Sequence, residues 1–137
     1  MATVEKVVTA MKAELMSDIL TYLDDKFTHF GMGTGTTAAT DSDTTLETEK
    51  DINYDAGETR KEFYKTTKDV SAGTLISRGN VQSTEGNTND MAEYGEFDSD
   101  AGGSDNMLCR ATFTAFTKSE DVEIMVTATK TVTITLN

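Results

Sequence analysis

In the last segment, "DVEIMVTATKTVTITLN", apolar residues take the even positions: Val122, Ile124, Val126, Ala128, Val132, Ile134 and Leu136. Lys130 interrupts the series once. The odd positions carry Glu123, Thr127, Thr129, Thr131, Thr133 and Thr135, with Met125 as the exception. A period of two held over this length predicts a half-buried antiparallel strand. At ~3.3 Å per residue it would run ~50 Å, longer than a typical strand. It must therefore bend into a second sheet or reach past its own domain. The preceding "MLCRATFTAFTK" alternates as well, so the two segments are expected to pair as a hairpin across the short "KSED" connection.

The other end of the chain has a different period. Within Thr3 to Lys26, residues Val4, Val7, Val8, Met11, Leu15, Ile19 and Leu23 recur at helical steps, uninterrupted by Gly or Pro. This predicts one amphipathic helix. Its apolar face has two uses, covering the chain's own sheet or packing on a neighbouring subunit. Met11 and Met16 suit a pliable contact.

Little helical periodicity follows. "FTHFGMG" is short and β-favouring, and Glu58 to Val70, "ETRKEFYKTTKDV", reads as a long exposed strand. "GTLISRGNVQ" and "MAEYGEFD" read as strands, with Gly79 in the first marking a bulge. "STEGNTND" and "SDAGGSDN" are loops. The expected fold is mainly β with one N-terminal α-helix: an antiparallel β-sandwich, jelly-roll-like or barrel-like, ending in a long β-hairpin. Residues 1–26 form the helix, packed on or beside a β-domain of residues 27–137, in a single globular unit. The chain contains no proline, so its edge strands need protection from charge, glycine or neighbouring subunits.

Charge narrows the partners. Twelve basic residues against twenty-four acidic ones give a formal net charge of −12. Such a surface repels phosphates and anionic lipid, so neither nucleic acid nor membrane is an expected partner. No segment approaches the ~20 apolar residues of a bilayer span. The N-terminus lacks the pattern of a secretory signal, so a protein soluble as made, without a signal peptide, is the expectation. Cys109 is the one cysteine, which excludes an internal disulfide. Its alternation with Met107, Ala111 and Phe113 predicts a small buried apolar residue.

The candidate chemistry is thin. "FGMGTGTTAATDSDTTLETEK", Phe30 to Lys50, places Gly31, Gly33 and Gly35 at alternate positions. A dinucleotide fingerprint needs a strand before the glycines and a helix after them. Here the helix comes first, and the following segment is too polar for a packed crossover helix. A P-loop needs Gly-Lys-Ser/Thr, and no lysine follows until Lys50. These glycines therefore read as a structural turn. Asp98, Asp100 and Asp105 in "EFDSDAGGSDN" resemble a calcium loop with glycine at its sixth position, Gly103. Cys109, however, stands twelfth, where the closing glutamate belongs. A loose Ca2+ site shared with Asp41 or Asp43 is the only cofactor expectation. His29 is the only histidine, too few ligands for zinc and too isolated for a triad. No catalytic constellation emerges, and the protein is not expected to be an enzyme.

Two stretches carry a resemblance. "GTGTTAATDSDTTLETE" is similar to a "GxGTTxPxxxDTxLxxE" stretch, with Asp43, Thr44, Leu46 and Glu47 in matching places. "EYGEFDSDAGGSDNMLCRATF" resembles "EAGLFDxxxGGxMLxRxxF" through Glu93, Gly95, Phe97, Asp98, Gly103, Met107, Leu108, Arg110 and Phe113. Both patterns, followed by an alternating terminal strand, are those of small virion proteins encoded among the tail genes of tailed phages and archaeal tailed viruses. Ala39, Tyr94 and Glu96 depart from the family pattern, and Asp51 to Val70 has no counterpart in it. The resemblance implies a structural virion protein of the tail, baseplate or fibre attachment region, with itself and other virion proteins as partners. The alternatives are a head decoration or turret subunit, and a carbohydrate- or calcium-binding β-sandwich module. Self-association would use the helix face, Val4, Val8, Met11, Leu15 and Ile19, and the terminal strand, Val132, Ile134 and Leu136. A strand longer than its domain needs is able to add to a neighbour's sheet.

Overall fold

The helical pattern becomes α1, Val4–Lys26, in a computed structural model that describes residues 4–55, 57–100 and 106–135, and side chains from residue 9 onward. The strands that follow are β1 (His29–Gly33), β2 (Glu49–Lys50), β3 (Lys61–Glu62), β4 (Lys65–Asp69), β5 (Thr74–Val81), β6 (Asp90–Phe97), β7 (Met107–Thr117) and β8 (Ile124–Thr131). Every pairing is antiparallel. The first sheet runs β2-β1-β6-β7 with β3 also on β1, and the second runs β4-β5-β8. The protein is mainly β with one N-terminal helix, as its periodicities require.

The core lies between the sheets. Phe30, Met32 and Met91 of the first sheet meet Val81 of the second, with Ile52 and Phe63 closing the cluster and Tyr94, Ile124 and Val126 packed on its margin. Phe30 is its centre, with ring centroids 5.2 Å from Phe63 and 5.9 Å from Tyr94. Its ring occupies the space that a side chain at position 79 would need. Gly79 therefore marks no bulge: β5 pairs with β8 over eight residues with no register shift. The glycine is there because the edge of the Phe30 ring comes up against the strand at that point. A second cluster, Met16, Leu20 and Leu75 with Leu23, Val132 and Ile134 beside it, seats α1 on the second sheet.

The terminal alternation holds as read. Even positions from Val122 to Ile134 are half-buried and odd ones exposed, but the regular strand ends at Thr131. Beyond it the Val132 amide still donates to the Gly73 carbonyl (2.8 Å). The expected terminal hairpin is not formed. β7 pairs with β6 in the first sheet, and β8 with β5 in the second. Alternation marks a strand as half-buried and is silent on which sheet receives it. Lys118 fixes the crossing: its side chain is fully buried, and its ammonium donates to the Ser83 and Ser119 carbonyls and to Asn87 Oδ1. The single strand expected from Glu58 to Val70 is likewise two. The Phe63 amide donates to Thr28 O and the Tyr64 amide to Arg78 O, so the chain changes sheets across one residue, the buried Phe63.

Replacing Gly79 by alanine is expected to destabilise the fold by ~1–3 kcal/mol through overpacking on Phe30. In chemical denaturation, Phe30→Leu should make the added methyl at position 79 less costly than it is alone.

Candidate functional site

The alternate glycines do not turn the chain. Gly31 and Gly33 lie within β1, and a period of two puts them on one face, the face away from the core. Gly95 pairs with Gly31 on the neighbouring strand. The result is a flat area bare of side chains, and the polar segment after β1 lies down on it. A Cβ at Gly31 would stand 2.7 Å from Glu49 Oε2, and one at Gly95 would stand 3.0 Å from Leu46 Cδ2.

Glu93 faces this area and has no solvent exposure. Its Oε1 accepts from the amides of Gly35 (3.1 Å) and Thr48 (2.7 Å), and its Oε2 from the Glu47 amide (2.9 Å) and Arg110 Nε (2.9 Å). Arg110 extends the network: Nη1 donates to Asp43 Oδ2 and Nη2 to the Thr37 carbonyl, both at 2.9 Å. Asp43 in turn accepts from the Thr40 amide and hydroxyl. One carboxylate and one guanidinium thus tie both ends and the middle of the loop to the sheet. Burial by itself pushes the Glu93 carboxyl up, but the bonds from Thr48, Glu47, Arg110 and Gly35 outweigh it and hold the pKa below 4.5. Asp43 is also lowered, by the Thr40 amide first and then Arg110.

Two further networks surround this clasp. Arg60, fully buried, donates to both Glu49 oxygens (2.7 and 2.9 Å) and lies 3.4 Å over the Phe97 ring. Between the sheets, Lys130 Nζ reaches Glu96 (2.9 and 3.1 Å) and Ser77 Oγ (2.8 Å). Tyr94 Oη donates to Glu96 at 3.0 Å. Burial first, and then the Glu96 charge, keep this phenol un-ionised. Among the described residues no buried side-chain nitrogen or oxygen is left without a hydrogen-bond partner.

The remaining candidates disperse. The Asp98 carboxylate accepts from the Asn106 amide and side chain and pairs with Lys26 at 3.4 Å. The Asp100 carbonyl accepts from the Thr59 and Arg60 amides, and Asp105 lies outside the described residues. Among those residues no three His, Cys, Asp or Glu side chains are gathered for a metal. Met11 and Leu15 are exposed on α1, and Ile19 is half-buried. Val4 and Val8 lie on the helix with side chains outside the described set, and Leu136 lies outside the described residues. Val132 and Ile134 pack within the chain's own helix–sheet cluster, a use that the period of two does not reveal. Cys109, expected to be buried, is exposed, because no described strand of the second sheet lies beneath β7 there. Its sulfur still lies close over the sheet, and this desolvation, with the Glu96 charge, pushes its pKa up to about 11, far from a reactive thiolate. Beside it opens an apolar groove of about 440 Å³, lined by Met32, Tyr94, Ala111, Phe113, Phe116, Ile124, Val126, Thr127 and Ala128. No described helix is long and apolar enough to cross a membrane.

Comparison with protein-family models and with curated proteins found no match to this chain.

Arg110→Ala leaves Glu93 buried without its cation, and a loss of ~3–5 kcal/mol is expected in denaturant titrations. Lysine at 110 should restore only part of it, since one ammonium cannot reproduce three directed bonds. The depressed Glu93 pKa also sets a pH window. Its stabilisation is complete above the unfolded value and is lost as pH falls through the lower folded value. Thermal melts taken downward from about pH 6 should show Glu93→Gln less stable than the parent, with the gap closing in acid.

Proposed function

We propose that the protein is a structural subunit of a tailed-virus particle, self-associating in the tail, baseplate or fibre attachment region. One observation carries the reading. Six of the residues that bear the motif resemblance, Asp43, Leu46, Glu47, Glu93, Gly95 and Arg110, come from segments far apart in sequence yet meet in one clasp around the buried Glu93. Their polar groups bond to one another and to backbone. A motif used in this way specifies a shape, which suits a protein whose work is to hold and present surfaces.

The buried ion pairs support the same reading. Glu93, Arg60 and Glu96 each sit in closed networks with geometry suited to rigidity, and none faces an open cleft with a second titratable group poised for proton transfer. In the depression between the loop and β7, the Arg110 and Asp43 side chains that form part of the lining are already paired with each other in the clasp's salt bridge.

Antibody raised against this chain, gold-labelled and applied to purified particles from a producing host, is expected to mark the tail end. Label confined to unassembled lysate protein would remove the proposal, and label over the head would move the subunit there.

A further inference from the structure

The two sheets are unequal on one flank. β6 lies over β8, as the Glu96–Lys130 pair and the packing of Tyr94 against the cluster with Ile124 and Val126 require. β7 carries the first sheet one strand further, and no described strand of the second sheet lies beneath it. Cys109, Ala111, Phe113 and Phe116 are consequently exposed, with the two phenylalanine rings stacked at 5.8 Å. This flank is a step: a slot roofed by β7 and walled by the free edge of β8.

The chain treats its two flanks differently. On the opposite side the outer strands β2, β3 and β4 hold nine residues, seven of them charged: Glu49, Lys50, Lys61, Glu62, Lys65, Lys68 and Asp69. β7 and β8 together hold nineteen residues and two charges, Arg110 and Lys130. Both of these pair with the buried carboxylates Glu93 and Glu96. In a chain that is 26% charged, the stepped flank lacks the lysines and acids that keep free edges from pairing. β8 is also straight along its whole ladder, and β7 is regular from Cys109 to Thr112.

We propose that this flank is a lap joint between two copies of the chain, an inference that rests on the reading of the protein as an assembling subunit. A two-fold axis parallel to the strands turns the second copy over. Its β7 then enters the slot under the first β7 and pairs with the first β8, while the first β7 pairs with the second β8. Each first sheet continues into the partner's second sheet, and the same contact is made twice. The six-residue link from β7 to β8 returns the chain at the same end of the sandwich, so β7 meets the partner's β8 antiparallel. A two-fold axis normal to the sheets would instead pair β7 with β7 in one layer, leaving both β8 edges unpaired and the space beneath the two β7 strands unfilled. The step therefore selects the turned-over arrangement. The inward side of each β7 faces its copy, which brings the two Cys109 thiols and the Phe113–Phe116 pairs together.

The full chain is expected to be a dimer by size exclusion with light scattering. At alkaline pH, where enough Cys109 thiolate forms, a short bismaleimide should link it covalently through Cys109. Ala111→Lys places a charge in the slot at an exposed position, and should raise the dimer dissociation constant ~100-fold or more while leaving the monomer's melting unchanged. Thr129→Lys, on the outward side of β8, should leave the dimer intact. A strictly monomeric parent overturns the joint. So does an oligomer that survives Ala111→Lys, gives no Cys109 link, and dissociates with Leu15→Lys on the helix. That last result leaves the particle assignment standing, because the gold label decides it separately.

Discussion

A carboxylate sealed from water costs several kcal/mol unless it is surrounded by donors, and the first sheet is organised around meeting that condition for Glu93. Three of its four donors come from a loop whose amides are 45 to 58 residues away in sequence, and the fourth is Arg110 from the next strand. The loop needs Glu93 to fix its backbone, and Glu93 needs the loop to remain ionised. The row of glycines is the steric condition for both. Side chains at 31, 33 or 95 would stand between the loop and the sheet.

The same economy recurs through the molecule. The chain has twice as many acids as bases, yet four of its twelve cations lie inside. Arg60 and Lys118 have no exposure, and Arg110 and Lys130 very little. Each holds segments that the backbone alone would leave loose: Arg60 the strand after the loop, Lys118 the arch between sheets, Lys130 the two sheets themselves. With four of its twelve cations committed inward and twenty-four acids in the chain, the outer surface is dominated by carboxylates. Charge repulsion between copies is then strong everywhere except on surfaces from which acids are missing.

Much of this was legible in the sequence where a period was at work. The helix, the half-buried even positions from Val122 to Ile134 and the antiparallel β-class all follow from spacing. Lys130 was visible as an interruption, and it sits on the inward row that its even number assigns, as the ion that joins the sheets. What stayed hidden depends on contacts between distant segments. Glu93 sits in "MAEYGEFD" as one more alternating acid, and no local feature says that three remote amides converge on it. Gly79 looked like a bulge because the ring that requires it belongs to Phe30, far away in the chain. The assumed hairpin failed for a related reason: a short polar link serves a turn within a sheet as well as an arch between sheets, and the buried Lys118 decides it.

The crossing at Phe63, whose own amide bonds to Thr28 beside the first sheet while the next amide bonds to Arg78 in the second, has a mechanical consequence. The chain passes from the first sheet to the second there, returns through the loop after β5, and crosses again at Lys118. The sandwich is thus laced by covalent chain at three places, while its faces are held by side-chain packing. A tensile load on one sheet reaches the other through peptide bonds, so the layers cannot peel apart without strands leaving their ladders. Stitched in this way, the domain resists delamination and yields only when its hydrogen-bonded strands are pulled out.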